Sequence, residues 1–163
     1  PHELSPAVRD VLANYRASFT HRADEFKTCY AEAENLLREL FHIPTSYRPL
    51  ICGHTGSYNW EMVANNTPKT FRTLSMDIGS FSKRWGGVFS DLGRHVDVLS
   101  ADWGNGIDPE MLKAELAKGY DLVLLIHNET STGVALDVAA LCEVIRAESP
   151  KSLIGIELLL KKI

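Results

Sequence analysis

The chain has 163 residues, 45% of them hydrophobic and 23% charged, so it is long enough to form one folded domain and is unlike disordered or collagen-like proteins. Its 17 basic and 21 acidic residues give a net charge of -4, and the basic residues are scattered, which argues against binding to nucleic acid or to an anionic membrane. No apolar run approaches the roughly 18 residues that cross a bilayer, and no basic segment leads into an apolar stretch at the amino terminus, so we expect a soluble, intracellular and cytoplasmic protein.

Two helices are predicted before the first strand. Ser5, a good cap residue, is followed by Pro6 and then by apolar residues at helical spacing, which predicts a short helix. From Asp24 onward the apolar positions keep a helical period until Pro44. This second segment is expected to be the longest helix of the chain.

Short apolar runs then alternate with helical patterns. Such alternation predicts βαβ crossovers and an α/β fold, with a largely parallel sheet covered by helices on both faces. No repeat or linker interrupts the pattern, so we expect one domain. The last strand is followed directly by 158–163, without a turn or an amphipathic helix, and the fold is expected to be incomplete there. The predicted strands are 50–52, 73–76, 96–99, 122–126 and 152–156, and the predicted helices between them are 57–65, 82–92, 108–117 and 137–148.

The segments that follow the strands are the ones to inspect for chemistry, because open parallel sheets bind ligands beyond the carboxyl ends of their strands. Gly53-His54-Thr55-Gly56-Ser57 follows the first predicted strand and opens onto a helix. Small residues and hydroxyls at this position favour a phosphate cradle built from backbone amides. An ordinary helix cap explains them as well, since neither a Walker sequence nor GxGxxG is present.

Three further segments carry candidate residues. Phe81 and Trp85 follow a glycine turn, where an aromatic side chain could either stack on a flat cofactor or pack its helix onto the sheet. The run 127–133 places six polar residues and a glycine directly after a buried strand, which requires a ligand or a hydrogen-bonding network to satisfy it. Glu157 ends the last strand, where it is either a charge partner for a cation or a solvated residue.

The cysteines give no metal or disulfide pattern. Cys29, Cys52 and Cys142 are odd in number and widely spaced, which argues against a disulfide framework and against a zinc site and favours a reducing compartment.

Four segments share their residues, order and spacing with one known family. They are His21-Arg22-Ala23-Asp24-Glu25-Phe26, Thr55-Gly56-Ser57 followed by Glu61, Gly79-Ser80-Phe81-Ser82-Lys83-Arg84-Trp85, and His127-Asn128-Glu129-Thr130-Ser131-Thr132-Gly133-Val134. Together they resemble the class V aminotransferases, enzymes of fold type I that use pyridoxal 5'-phosphate (PLP), and particularly the alanine–glyoxylate and serine–pyruvate transaminase branch. The last segment is the most specific, being similar to the family's H-G-E-S-S-T-G-V.

The resemblance implies a role for each candidate residue. Thr55, Gly56 and Ser57 correspond to the loop that holds the PLP phosphate, and Phe81 corresponds to the aromatic residue that stacks on the pyridine ring. Thr130 stands where the family has a Ser or Thr near the phenolic oxygen of the cofactor. Glu157 stands where the family has the Asp that pairs with the pyridine nitrogen.

The resemblance also limits the function. It covers residues 1–157, which implies the amino-terminal part of the large domain, and 158–163 does not resemble the family's continuation. The family's Schiff-base lysine lies further downstream in a G-S-Q-K type segment, so this chain is expected to contain no catalytic lysine, to be inactive alone, and to bind PLP weakly or not at all. Its lysines, none in such a motif, are Lys27, Lys69, Lys83, Lys113, Lys118, Lys151, Lys161 and Lys162.

The family comparison implies a homodimeric transaminase that moves an amino group from a small amino acid, such as alanine or serine, to a 2-oxo acid, such as glyoxylate or pyruvate. Two alternatives stay open. One is a non-catalytic module that binds or dimerises. The other is a relative of the cysteine desulfurases, for which the three cysteines are poorly placed because they fall in helix or strand patterns. An unrelated nucleotide-binding protein would need four motifs to match by chance.

Overall fold

The computed structural model describes residues 3–14 and 20–158, and the chain divides into two compact units, Pro1–Gly53 and His54–Ile163. Residues 159–163, most of the segment predicted not to match the family, lie outside the described residues. The helices are α1 (Pro6–Ala13), α2 (Asp24–Leu40), α3 (Gly56–Asn65), α4 (Ser80–Asp91), α5 (Pro109–Leu116) and α6 (Val138–Glu148). The strands are β1 (Arg72–Asp77), β2 (His95–Ser100), β3 (Leu122–Ile126), β4 (Asn128–Glu129), β5 (Val134–Ala135) and β6 (Leu153–Glu157).

The first unit contains the two helices predicted from the caps and the helical period. The Ser5 side chain accepts a hydrogen bond from the Val8 amide, so the predicted start of α1 is confirmed. Helix α2 begins with two acidic residues and carries Arg38 in its last turn, which suits the helix dipole at both ends. It is the longest helix among the described residues, as predicted.

The predicted strand at 50–52 is wrong. Residues 50–52 have no regular secondary structure, and Leu50 is 72% exposed. A strand requires backbone pairing with a neighbour, and no described strand pairs with this segment. The apolar run of three residues therefore does not form a strand, because it has no pairing partner among the described strands.

The second unit is built on a four-stranded sheet in the order β2-β1-β3-β6, in which every pair is parallel. The predicted strands from 73–76 onward and the helices between them are confirmed within one to two residues at their ends. Strands β4 and β5 form a separate antiparallel pair between β3 and α6. The parallel order brings the carboxyl ends of all four strands to one edge of the sheet.

Helices cover both faces of this sheet, as predicted. Successive side chains of a strand point to opposite faces, so Leu122 and Leu124 pack in one core and Val123 and Leu125 in the other. The first core contains the buried side chains of α3 and α4, and the second contains those of α5 and α6. None of the helices formed by the described residues is long and apolar enough to cross a membrane.

A polar network closes the amino edge of the sheet, opposite the strand carboxyl ends. The Tyr120 hydroxyl lies 2.9 Å from Asp97 Oδ2 and 2.7 Å from Glu115 Oε1, and Arg72 Nη2 donates to Asp97 at 2.8 Å. The hydrogen bonds from Tyr120 and then Arg72 lower the pKa of Asp97, while burial and the two neighbouring carboxylates raise the pKa of Tyr120. This network joins β1, β2 and α5 to Tyr120, two residues before β3.

Replacing Tyr120 by phenylalanine should lower the free energy of unfolding at pH 7 by about 1–2 kcal/mol, because the carboxylates lose a buried donor. The pKa of Asp97 is lowered in the folded state, so its contribution is present above its ordinary value of 3.8 and is lost as the pH falls through the lowered pKa. The difference between wild type and Tyr120→Phe should therefore shrink below about pH 4 in urea titrations. Tyr58→Phe, at an exposed tyrosine, is the control and should change little at either pH. A difference that grows at low pH would contradict this account.

Candidate functional site

The carboxyl edge of the sheet gathers most of the residues singled out from the sequence. Phe81 lies on the segment after β1, Thr130 lies on the segment after β3, and Glu157 is the last residue of β6. Strand β3 lies between β1 and β6, so these three segments are neighbours along one edge. The His127 amide donates to the Glu157 carbonyl at 2.9 Å, which links two of them directly.

The residue that organises this edge is Glu129, which the sequence analysis did not single out. Its side chain is 1% exposed. Oε2 accepts from the Ser82 amide at 2.9 Å and the Phe81 amide at 3.1 Å, and Oε1 accepts from the Ser131 hydroxyl at 2.6 Å and the Ser131 amide at 3.1 Å. The Ser131 hydroxyl in turn accepts from the Ser80 amide at 2.9 Å. The amino terminus of α4 is therefore satisfied by the segment after β3.

These contacts decide the charge of Glu129. Burial acts to raise the pKa of Glu129, but the hydrogen bonds from Ser131, Ser82 and Phe81 outweigh it, and the pKa is lowered. A carboxylate at a helix amino terminus also interacts favourably with the helix dipole. Glu129 is consequently ionised at neutral pH although it is buried.

Gly79, the residue before α4, makes room for this carboxylate. A Cβ atom at Gly79 would lie 2.4 Å from Glu129 Cγ, 2.5 Å from Glu129 Cδ and 2.6 Å from Ser131 Oγ. The backbone of Gly79 is extended, with φ of 163°, so the need for glycine comes from this close approach.

The sequence left open whether Phe81 and Trp85 pack α4 onto the sheet or stack on a cofactor, and the two residues differ in their burial. Trp85 is 3% exposed and packs in the core with Trp60, with ring centroids 6.0 Å apart. Phe81 is half-buried, and the Arg84 guanidinium lies 5.6 Å from its ring centroid. Packing of the helix onto the sheet is therefore mainly the role of Trp85, and Phe81 stands where the core meets the edge.

Thr130 and Glu157 differ in their surroundings. Thr130 is exposed. Glu157 is half-buried, and burial, followed by the charge of Glu129, raises the pKa of Glu157. No ion pair to Glu157 is formed by the described residues. This carboxyl group would gain from a cationic partner.

Helix α3 begins at Gly56, one residue before the predicted start at Ser57. Thr55 is its N-cap residue, but the Thr55 side chain makes no capping hydrogen bond, and a Cβ atom at Gly56 would meet nothing within 4 Å in the described structure. Arg94 Nη1, just before β2, donates to the Thr67 carbonyl just after α3, which places the end of α3 at the amino edge of the sheet. The beginning of α3 therefore points towards the carboxyl edge.

The residues at the two helix starts are held differently. The His54 ring makes an edge contact with Tyr58, at 4.6 Å between centroids, and its Nδ1 lies 2.9 Å from the Thr55 carbonyl oxygen. These contacts hold His54 against the first turn of α3. The amino terminus of α4 is filled by Glu129, whereas at α3 the Gly56 and Ser57 amides have no hydrogen-bond partner among the described residues and the Tyr58 amide donates to the Thr55 carbonyl at 3.1 Å.

The cysteines do not form a site. Within the described residues no cluster of His, Cys, Asp and Glu is suited to a metal ion, and all three cysteines are free thiols. Cys142 is half-buried on α6, where burial raises its thiol pKa and so disfavours the nucleophilic thiolate.

A cavity of about 350 Å³ lies in the first unit. It is lined by α2 side chains including Tyr30 and Glu34, and by His21 and Arg48. His21 and Phe26, which belong to the first segment of the resemblance, both contribute to its wall.

Comparison with known proteins identifies the family. The profile of the family named Aminotransferase class-V matches residues 2–154, which is almost the whole chain. The chain therefore belongs to the class-V aminotransferases, a family of PLP-dependent aminotransferases, as the four segments predicted.

Curated relatives include a serine–glyoxylate aminotransferase of Arabidopsis thaliana, 35% identical over 59% of this chain and 25% of that protein. A protein named the soluble hydrogenase 42 kDa subunit of Anabaena cylindrica is 30% identical over 80% of this chain and 35% of its own length. The chain thus spans between a quarter and about a third of the length of these relatives.

Solved structures agree with the fold. An aspartate aminotransferase of subgroup IV from Thermus thermophilus has a TM-score of 0.79 and 31% identity, covering 94% of this chain and 42% of that one. A ureidoglycine–glyoxylate aminotransferase from Bacillus subtilis has a TM-score of 0.77 and 26% identity, covering 94% and 39%. The predicted fold class is confirmed.

A pair of glycine substitutions tests the contact between Gly79 and Glu129. Gly79→Ala should lower the free energy of unfolding by about 1–3 kcal/mol, because the added Cβ must displace the buried carboxylate. Gly87→Ala, inside α4, meets nothing within 4 Å and should raise stability by roughly 0.5–1 kcal/mol. Both values come from urea unfolding, and equal effects of the two substitutions would rule out the close approach.

Proposed function

We propose that the carboxyl edge of this sheet is a PLP site and that the chain contributes it to an aminotransferase acting on small amino acids. Thr55, Gly56 and Ser57 hold the phosphate, Phe81 stacks on the pyridine ring, and Thr130 hydrogen-bonds near the phenolic oxygen. Glu157 pairs with the protonated pyridine nitrogen. The observation that carries the proposal is the half-buried Glu157, whose raised pKa and lack of an ion pair among the described residues call for a cationic partner at this edge.

The groups present at this edge fit the two ends of PLP. The uncapped amino terminus of α3 offers backbone amides to a phosphate, and the open space at Gly56 lets an anion approach them. A protonated pyridine nitrogen would compensate the carboxylate of Glu157, and its charge would lower the pKa that burial and Glu129 raise. Glu is one methylene longer than the Asp of the family, so its carboxylate reaches further from the strand.

Bound PLP supplies an electron sink for the bonds at the α-carbon of an amino acid. The residues of this chain orient it: the phosphate loop anchors one end, Glu157 holds the proton on the ring nitrogen, and Phe81 limits the tilt of the ring. Thr130, with its exposed hydroxyl, donates to an oxygen at the open side of the site.

The substrates proposed are a small amino acid, such as alanine or serine, and a 2-oxo acid, such as glyoxylate or pyruvate. Support comes from relatives named serine–glyoxylate and alanine–glyoxylate aminotransferases, the latter from Saccharomyces cerevisiae and 26% identical over 93% of this chain. Residues 1–157 are proposed to form the amino-terminal part of the large domain, with 158–163 outside it.

We further propose that the protein works as a homo-oligomer. Neither α1 nor α2 has a buried residue, and apolar side chains of both helices are exposed, including Val11 at 67% and Leu36 at 65%. Association with a second copy would remove such surface from water.

A second candidate function is a non-catalytic module that keeps the cofactor edge. None of the lysines of these 163 residues stands in a G-S-Q-K type segment. Transamination requires an amine that holds the cofactor and a base that moves a proton. The 163-residue chain is therefore proposed to bind PLP weakly and without a covalent bond.

Inorganic phosphate and PLP should both raise the free energy of unfolding, by about 1.4 kcal/mol at ten times the dissociation constant. Gly56→Leu should abolish this response, because a bulky side chain covers the first amides of α3, while the open space there lets the fold accept it. Gly87→Leu is the matched control and should keep the response. Thermal unfolding with and without ligand measures both, and an unchanged response in Gly56→Leu would mean that the loop only begins a helix.

Treatment of the chain with PLP and borohydride, followed by peptide mapping, should give scattered labelling of exposed lysines below one label per chain. No amino transfer from alanine to glyoxylate should exceed the background of free PLP. Lys83 lies on α4 at the carboxyl edge, with Nζ 3.7 Å from Asp77, so labelling at this lysine is compared with labelling elsewhere. Lys83→Arg, which removes this amine, is the control. A single stoichiometric pyridoxyl-lysine together with amino transfer would overturn the proposal of an inactive chain.

A further inference from the structure

Helices α3 and α4, which cover the same face of the sheet, both begin at its carboxyl edge, and the backbone amides at their amino termini are satisfied to different degrees. The first amides of α4 all have partners: Ser80 donates to the Ser131 hydroxyl, and Phe81 and Ser82 donate to Glu129. The Lys83 amide donates to the Gly79 carbonyl and begins the helical ladder. Helix α4 therefore cannot receive the phosphate of a ligand, in contrast to α3.

The hydrogen bonds between Glu129 and α4 hold backbone atoms of Phe81 itself. The Phe81 amide lies 3.1 Å from Oε2 and 3.4 Å from Oε1 of Glu129, so the carboxylate faces this residue with both oxygens. Glu129 is fixed in its turn by Ser131 and by its burial against Gly79. These contacts thus fix the position of the first turn of α4 relative to the segment after β3.

We propose that Glu129 is a positioning residue for the cofactor edge: its carboxylate holds the first turn of α4 so that the Phe81 ring stands in the place where a planar cofactor stacks. This inference rests on the proposed function. Glu129 itself need not touch the cofactor, because it is 1% exposed and its oxygens are occupied by amides and a hydroxyl.

The same carboxylate connects the stacking residue with the charge partner. The negative charge of Glu129 contributes to the raised pKa of Glu157, after the larger effect of burial. A single buried group therefore influences both Phe81, which lies in α4, and Glu157, which ends β6.

The first test needs no cofactor. In Glu129→Gln one acceptor oxygen becomes an amide donor, which must face either the amides of α4 or Ser131. Hydrogen exchange of the Phe81 and Ser82 amides should become faster by about tenfold or more, measured by NMR at a pH where the fold is intact. Ser152→Ala is the control, since it removes a buried hydroxyl that donates to the Tyr120 carbonyl at the other edge and should leave these two amides unchanged.

The second test is a double-mutant cycle on PLP affinity with Glu129→Gln and Phe81→Ala. Glu129→Gln should weaken PLP binding about fivefold to tenfold by loosening the stacking residue, and should have little further effect in the Phe81→Ala background. Affinity for inorganic phosphate, which α3 would bind, should stay the same in all four proteins. If Glu129→Gln does not fold, Glu129→Asp, which keeps the charge but withdraws the carboxylate by one methylene, replaces it with the same measurements.

The outcomes separate this inference from the proposed function. If the wild-type chain binds PLP and the two substitutions act additively, or the exchange of Phe81 is unchanged, the positioning role is wrong and the cofactor site stands. If the wild-type chain binds neither PLP nor phosphate, the proposed function fails, and with it the role of Glu129 towards a cofactor. A parallel loss of phosphate affinity in Glu129→Gln would show general loosening and would also overturn the positioning role.

Discussion

The second unit depends on the buried, ionised carboxylate of Glu129. This group would be costly to bury alone, and it is stable because two backbone amides of α4 and two donors of Ser131 surround it. In return, the amino terminus of α4 obtains the acceptors that every helix start needs. The segment after β3 and the helix after β1 are thereby joined at the edge where parallel strands present their ligand-binding side.

The parallel sheet separates two kinds of polar structure. At the amino edge, Tyr120, Asp97 and Arg72 satisfy one another, and their network links neighbouring elements. At the carboxyl edge, Glu129 is satisfied from within, whereas Glu157 and the start of α3 are not satisfied by the described residues. At this edge the carboxylate of Glu129 has its hydrogen-bond donors, whereas the carboxyl group of Glu157 and the first amides of α3 lack partners among the described residues. A ligand with a negative and a positive end could satisfy both, which is why PLP is the cofactor proposed.

Particular residues show which structural features can be predicted from the sequence and which cannot. The cap residue Ser5 predicts a helix start because capping is local, and its side chain accepts the Val8 amide in the structure; Asp108 and Asp137 cap α5 and α6 in the same way. The apolar run 50–52 does not form a strand, because strand formation depends on a pairing partner elsewhere in the chain, which the run itself does not specify. The polar run 127–133 was expected to need a ligand or a network, and Glu129 supplies the network; that Glu129 is the buried acid of this run could be known only once Gly79 and α4 were placed beside it.

By itself the sequence determined the α/β class, the order of the six helices and of the four strands of the parallel sheet, the family, and the candidate residues at the strand ends, since all of these follow from local periodicity, caps and the order of short motifs. Only the tertiary structure decided that Trp85 fills the core while Phe81 stands at the edge, that Glu129 closes one helix start, and that the start of α3 stays open. Those distinctions depend on contacts between residues about fifty positions apart, such as Phe81 and Glu129. Burial and hydrogen bonding depend on such pairs, and a short sequence motif contains only one of the two partners.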